Sequence, residues 1–301
     1  MDSDGQFCSI HTHTVFCDGK DNVEAMCRAA YENNLHSIGF SAHAPIEKQI
    51  GAQSDWNLKD ERVSEYVSEV MAAKERWKDK IKVFLGYEVD YIKGRRSPLD
   101  DDITSLNLDY IIASVHYLFP KNYNTKVSNE FFFTVDGSKE EFEKGLSEGF
   151  NGDARALMHR YYDAQIEMIE EGGFDILGHP DLLKKNCGGR NYWTEEEETA
   201  RQREIALAVS KTDIIIEVNT GGINRKKIHD VYPSLSFLRI ISEYKIPVII
   251  TADAHCAADI KGNYNIALNT IKLADIKEHI ILSDKNNKEL IWQRADISKN
   301  Y

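Results

Sequence analysis

Histidines and carboxylates recur in this chain at one kind of place, immediately after a short apolar run. His11 and His13 form HTH, His43 lies in FSAHAP and Glu88 in GYEVDY. His116 follows in ASVHYL, His179 in LGHPD, and Asp253 and His255 in TADAH. Asp18, in FCDGKD, is a ninth candidate of the same kind. A mixed imidazole and carboxylate set suits zinc, manganese or iron and differs from the all-oxygen shell of calcium. Residues i and i+2 of a strand point to the same side, so His11 with His13, and Asp253 with His255, can grip one ion together. Nine ligands exceed the needs of one tetrahedral or octahedral ion. Two or three metals are therefore expected, with Glu88 as the bridge because a carboxylate has two oxygens. A lone HxH carries little weight, and a single histidine after a strand is commonly a satisfied structural residue. The weight lies in the whole set. His36, His159, His229 and His279 read as ordinary surface or partly buried residues in helical or loop contexts, and Cys17 and Cys256 as small hydrophobes beside ligand positions.

Clustered divalent ions acidify water and clamp the oxygens of a phosphoryl or acyl group. The chain has no GxxxxGK[ST] loop, and a metal-activated water is the economical nucleophile. Phosphate-ester hydrolysis also needs cations or amides on the non-bridging oxygens. Arg160 (in RYYD), Arg190 and Arg225 are the candidates, with the turn VNTGGINRK and its Asn219. Arg160 is the expected phosphate binder, because RYYD follows a segment that should fold over the site.

These residues need a scaffold that brings apolar-run ends together. Strands are expected at Phe7–Ile10, Ser37–Phe40, Lys82–Leu85, Tyr110–Ser114, Phe174–Leu177, Ile214–Val218 and Val248–Thr251. Helices are expected at Asp21–Asn34, Lys59–Lys80, Asp153–Glu171, Thr194–Ser210 and Pro233–Tyr244. Alternation of this sort means parallel strands, since a parallel pair needs a crossover. Without a glycine-rich phosphate fingerprint, a barrel is favoured over a doubly wound sheet. In such barrels the C-terminal strand ends share one mouth, where active sites are built. Phe119–Gly152 is too long and aromatic for the bare repeat and is expected to be an insertion over that mouth. Lys184–Trp193 (KKNCGGRNYW) reads as a mobile loop. A single domain over 1–301 is expected.

Composition narrows the classes further. The 301 residues lie within the ~200–400 of a single α/β barrel. An apolar content of 42% excludes disorder as the main state. Thirty-seven basic and 49 acidic residues give a net charge of −12, which disfavours phosphate backbones and anionic membranes as partners. Five cysteines without a CxxC pair, and a first segment without the cationic-then-apolar pattern of a signal peptide, lead to a cytoplasmic expectation. No apolar run approaches the ~18 residues of a membrane span. The expected partner is a small phosphate ester, and the expected state a monomer or small homo-oligomer.

In order, HTHTVFCDG, FSAHAP, GYEVDY, DYIIASVHYL, DILGHPDLLKK, IIEVNTGG and ITADAH resemble the motifs of the polymerase and histidinol phosphatase (PHP) family. The likeness runs from about Ser9 to Tyr264, and the flanking sequence is similar to the bacterial histidinol-phosphate phosphatases. The resemblance implies a distorted (β/α)7 TIM-like barrel with a trinuclear centre of Zn, Mn or Fe. The family's first-metal pattern falls on His11, His13, Glu88 and Asp253, its second on Glu88, His116 and His179, and its third on Asp18, His43 and His255. Some branches carry a histidine where this chain has Asp18. Aspartate still ligates but softens the case for zinc at that position. The implied reaction is hydrolysis of L-histidinol phosphate by a hydroxide bridging the first two metals. Asp253 or a neighbouring histidine such as His255 would relay a proton to the leaving alkoxide. Rival readings are a phosphoesterase of the same fold acting on a nucleotide or nucleic-acid end, and a non-catalytic metal-binding barrel.

Overall fold

The computed structural model describes residues 6–51, 54–119, 133–187, 192–286 and 289–297. Seven parallel strands stand side by side in the order β1-β2-β3-β4-β7-β8-β9. They are β1 (Cys8–Ser9), β2 (Ser37–His43), β3 (Lys82–Asp90), β4 (Tyr110–Ser114), β7 (Ile176–Leu177), β8 (Ile215–Asn219) and β9 (Val248–Thr251). The sheet curls until its ends meet at the C-terminal rim, where Thr12 bridges Ala254 in parallel. The amide of His13 donates to the Ala254 carbonyl at 2.8 Å, and that of Ala254 to the His11 carbonyl at 3.0 Å. Closure therefore falls on the two segments that carry the densest pairs of candidate ligands.

Helices pack the outside because their apolar residues repeat at helical spacing. Helix α1 (Val23–Glu32) buries Val23, Met26, Cys27 and Ala30, and starts where the Asn22 side chain accepts from the Ala25 amide. Helix α2 (Val63–Trp77) buries Tyr66, Val70, Ala73 and Trp77 on the same logic. Helix α3 (Lys139–Phe150) and α4 (Ala154–Glu171) open on Ser138 and Asp153 caps. Helix α5 (Glu195–Val209) begins with a Thr194–Glu197 capping box. Helices α6 (Leu235–Glu243) and α7 (Tyr264–Leu273) complete the ring. Inside the barrel a separate apolar layer of Ile10, Phe84, Ile112, Ile176, Ile215 and Ile249 fills the end opposite the site.

Two elements lie outside the seven-strand expectation. Strands β10 (Glu278–Asn286) and β11 (Glu289–Asp296) form an antiparallel hairpin, and β10 joins the parallel sheet beside β9. Ile280, Ile281 and Leu282 enter the interior apolar layer, and the Ser37 hydroxyl donates to the Leu282 carbonyl at 2.5 Å. The hairpin thereby seals the end of the barrel away from the site. His279 belongs to β10 and is buried, which corrects the helical or loop context expected for it.

The described part of Phe119–Gly152 comprises β6 (Phe133–Thr134), paired antiparallel with β5 (Tyr117–Leu118), and helix α3. Lys184–Cys187, the start of the expected mobile loop, forms a helical turn. Among the described residues, no helix is long and apolar enough to cross a membrane.

Candidate metal centre

Strand ends deliver the side chains. His43 ends β2, Glu88 lies two residues before the end of β3, and His116 and His179 lie two residues beyond β4 and β7. Asp253 and His179 have φ of 47° and 23°, a left-handed backbone that is uncommon outside glycine. Both residues leave their strands by turning sharply into the mouth. Gly221 makes room for this, since a Cβ there would lie 2.7 Å from Asp253 Oδ2.

All nine candidate ligands meet at that rim, and most are buried. Glu88 divides the group. Its Oε1 lies 3.0 Å from His179 Nε2 and 3.7 Å from His116 Nε2, while its Oε2 lies 3.0 Å from His11 Nε2, 3.1 Å from His43 Nδ1 and 3.5 Å from His13 Nε2. Asp253 Oδ1 faces His13 Nε2 at 3.3 Å and His11 Nε2 at 3.8 Å. Asp18 Oδ2 meets His255 Nε2 at 2.9 Å, and its Oδ1 lies 3.9 Å from His43 Nε2. The His13 ring is stacked between those of His43 and His255, at 4.5 and 4.3 Å.

Electrostatics prepare this set for cations. Burial, with His255 and His43 alongside, pushes the His13 imidazole down to about 3, so it is neutral with a free lone pair. Burial opposes the charge on Glu88, yet His11, His43 and His116 hold its carboxyl well below the usual range. Burial likewise opposes Asp253, which Arg225 and His11 keep ionised. His13 Nε2, His43 Nδ1 and Asp18 Oδ1 are buried without a hydrogen-bond partner among the described residues. Orphaned acceptors packed between ionised carboxylates are costly unless a cation completes them. The donor set fits divalent metal ions.

A carboxylate network invisible to the rim reading supports these ligands. Glu217, fully buried on β8, places Oε1 2.5 Å from His11 Nδ1 and Oε2 2.8 Å from the His179 amide. Asp90, on β3, lies 2.8 Å from His116 Nδ1 and accepts from Asn57. Each is two residues from a singled-out position, Asn219 and Glu88, so the i, i+2 rule that paired His11 with His13 points to both. Pairs of this kind fix the tautomer of a metal-ligating imidazole.

A cavity of about 250 Å³ opens above the ligands. Arg225, Lys185 and Lys227 give it positive charge, and Trp56, Thr134, Asp136 and Leu182 form other parts of its wall. Arg225 donates to Asp253 Oδ2 at 2.8 Å and to the Asp253 carbonyl at 3.0 Å. Lys185 and Lys227 are not among the individual candidates of the sequence reading, although Lys185 lies in KKNCGGRNYW and Lys227 directly follows the VNTGGINRK turn.

Arg160 and Asn219, also expected at the phosphate, are outside the described cavity lining. Arg160 is absent from the described lining; its Nε donates to the Phe119 carbonyl at 3.2 Å and its Nη1 to Glu167 at 3.2 Å. Glu167 is two helical turns along α4 on the same face, so one of these two partners comes from the arginine's own helix. Asn219 lies beneath the site, fully buried. Its amide donates to Glu217 at 3.0 Å and to Asp253 at 3.4 Å while its oxygen accepts from Gly221, which makes it a support for ligands. Arg190 lies outside the described residues.

Fold and site together define a metal-dependent hydrolase on an α/β barrel. The chain matches the PHP domain family over residues 9–221 and belongs to that family. It is 25% identical over 266 residues to a protein of Deinococcus radiodurans named probable histidinol-phosphatase, covering 88% of this chain and 92% of that one. It is 24% identical over 275 residues to the histidinol-phosphatase of Bacillus subtilis, covering 86% and 97%. Among solved structures, the hisK protein of Listeria monocytogenes superposes with a TM-score of 0.75 at 23% identity, covering 86% of this chain and 98% of that one. The histidinol phosphate phosphatase of Lactococcus lactis, complexed with Zn, L-histidinol and phosphate, superposes with a TM-score of 0.63 at 20% identity, covering 91% and 96%.

Proposed function

We propose that this chain is a phosphomonoesterase that hydrolyses L-histidinol phosphate to L-histidinol and phosphate, in histidine biosynthesis, using divalent ions held by the nine-residue rim. The observation that carries the reading is the division of Glu88 between two histidine groups directly beneath a cavity bordered by Arg225, Lys185 and Lys227. Curated relatives of nearly full length carry the histidinol-phosphatase name, which supports the choice of substrate.

His11, His13, Glu88 and Asp253 would hold one ion, Glu88, His116 and His179 a second, and Asp18, His43 and His255 a third. Zinc, manganese and iron all suit this donor set. Such ions supply Lewis acidity, offsetting charge on phosphoryl oxygens and making water acidic. The chain's own residues do the rest. Glu88 and Asp253, ionised by their neighbours, set the negative charge that retains cations. Glu217 and Asp90 hold the His11 and His116 rings in place. Arg225 keeps Asp253 in register and, with Lys185 and Lys227, draws a phosphate dianion into the mouth. The leaving alkoxide takes its proton on the Asp253–His255 side of the cavity.

The test is phosphate release from a panel containing L-histidinol phosphate, other small phosphomonoesters, a nucleotide and a short DNA with a 3′-phosphate. L-Histidinol phosphate should give the highest kcat/KM. Preference for the nucleotide or the DNA end would favour the rival phosphoesterase reading. No release from any of them with zinc or manganese present would leave a non-catalytic barrel.

A further inference from the structure

One carboxylate in the cavity belongs neither to the ligand rim nor to the network beneath it. Asp136 follows β6, in the segment inserted between β4 and helix α4, and lines the cavity with Trp56 and Lys185. Its Oδ2 accepts from Lys185 Nζ at 3.3 Å, and the same ammonium is bound by the Asp136 backbone carbonyl. Its Oδ1 has no hydrogen-bond partner among the described residues, and the side chain is about one-third exposed toward the mouth. The geometry therefore leaves a charged acceptor open to the cavity, distinct from the ligand carboxylates Asp18, Glu88 and Asp253 and beside the cations Lys185, Lys227 and Arg225 that also line it.

Such a group works against the entry of a simple phosphate dianion. Repulsion between Asp136 and an entering phosphate would lower affinity, and Lys185 would serve better with its charge undivided. The arrangement makes sense for a ligand that carries both signs. On the reading of the site given above, the substrate is an amino-alcohol phosphate with a phosphate dianion at one end and an ammonium group nearby. We propose that Asp136 is the specificity-determining residue that binds the substrate's ammonium group through Oδ1. Lys185 then does two things: it fixes the Asp136 carboxylate and keeps positive charge on the phosphate side. Charge-assisted hydrogen bonds of this type are directional and about twice as strong as neutral ones, so they discriminate against a ligand lacking the amine.

The experiment compares kcat/KM for L-histidinol phosphate and for its amine-lacking analogue, 3-(imidazol-4-yl)propyl phosphate, in metal-loaded wild type and in Asp136→Asn. Wild type should favour the amine-bearing ester by about 10- to 100-fold, and Asp136→Asn should bring that ratio close to 1. Asp136→Glu, which keeps the charge, should restore part of it. A purely structural role would lower both substrates together and leave the ratio standing, and that result overturns the proposal. So does a wild-type ratio near 1. If wild type turns over neither compound, the histidinol-phosphate reading itself fails and the proposal falls with it, an outcome recognisable without any variant. Should Asp136→Asn fail to accumulate as folded protein, Asp136→Ser gives the same ratio.

Discussion

Glu217 Oε1 lies 2.5 Å from Nδ1 of His11, and neither residue is accessible to solvent. The pair fixes which nitrogen of His11 faces the rim. Nδ1 is occupied below, so Nε2 is presented to Glu88 and Asp253. Burial alone would discharge the His11 imidazole, but Glu217, Glu88 and Asp253 together hold it well above its ordinary range. In the absence of cations this ring is one of the positive groups among the carboxylates, and a bound ion would take over that part.

Removing the charge while keeping the shape should therefore weaken metal retention without unfolding the barrel. Glu217→Gln is expected to lower metal affinity or kcat/KM by about 10- to 100-fold. Elemental analysis after dialysis against a weak chelator, with circular dichroism of the same sample, checks it. Wild-type metal content and turnover would show that His11 needs no such support.

Two of the three arginines nominated by sequence, Arg225 and Arg160, should separate cleanly. Arg225 touches Asp253 and lines the cavity, so Arg225→Met should cut kcat/KM on the order of 30- to 1000-fold, about 2–4 kcal/mol. Arg160 is engaged with Phe119 and Glu167, and Arg160→Met should change kcat/KM less than about 5-fold. A large loss in Arg160→Met would return it to the phosphate.

Much of this site is legible in the sequence because one rule generates it. Every ligand except Asp18 lies at or just beyond a strand, and the parallel barrel gathers such positions without further information. Glu217 escaped because IIEVN reads as an apolar strand, although its alternation with Asn219 places the carboxylate on the inner face. Arg160 turns to Phe119 and Glu167, outside the described cavity lining, which its place at the start of RYYD does not foretell. The left-handed turns at His179 and Asp253 carry only a weak signature, since Asp and His adopt positive φ more often than most residues but far less often than glycine. The hairpin β10–β11 was missed because its first strand buries only its apolar start against the barrel, and its second strand is exposed or half-buried apart from Ala295.

Gly221 is a case where space alone decides. An added Cβ would lie 2.7 Å from Asp253 Oδ2 and 3.0 Å from Arg225 Nη2. Gly221→Ala should displace Asp253, lowering kcat/KM by about 100-fold at a stability cost of about 1–3 kcal/mol. Thermal denaturation beside kinetics distinguishes this from general collapse, and normal kinetics would mean that the rim tolerates the shift.

His279 gives a pH signature independent of the site. Burial pushes its imidazole down to about 4, against a weaker opposing hydrogen bond to the Ile280 carbonyl, and its Nε2 has no partner among the described residues. In the unfolded chain the group titrates near 6.5, so below that pH the unfolded state binds the extra proton. The contribution is fully present above about pH 6.5 and is lost as pH falls toward 4, reaching about 3 kcal/mol there. His279→Phe, stacking on Phe7 in its place, should lose a few degrees less in Tm than wild type between pH 7.5 and 5. Parallel Tm curves would place the imidazole in contact with water.

The central claim is that the rim acts through bound cations on histidinol phosphate. Its most direct test is kcat/KM for that ester in protein stripped with a strong chelator, then reconstituted with zinc or manganese. The account predicts that stripped protein loses at least 99% of its phosphate release, that reconstitution restores it, and that full activity requires more than one equivalent of metal. Undiminished turnover in excess chelator, with elemental analysis showing no metal, would contradict it.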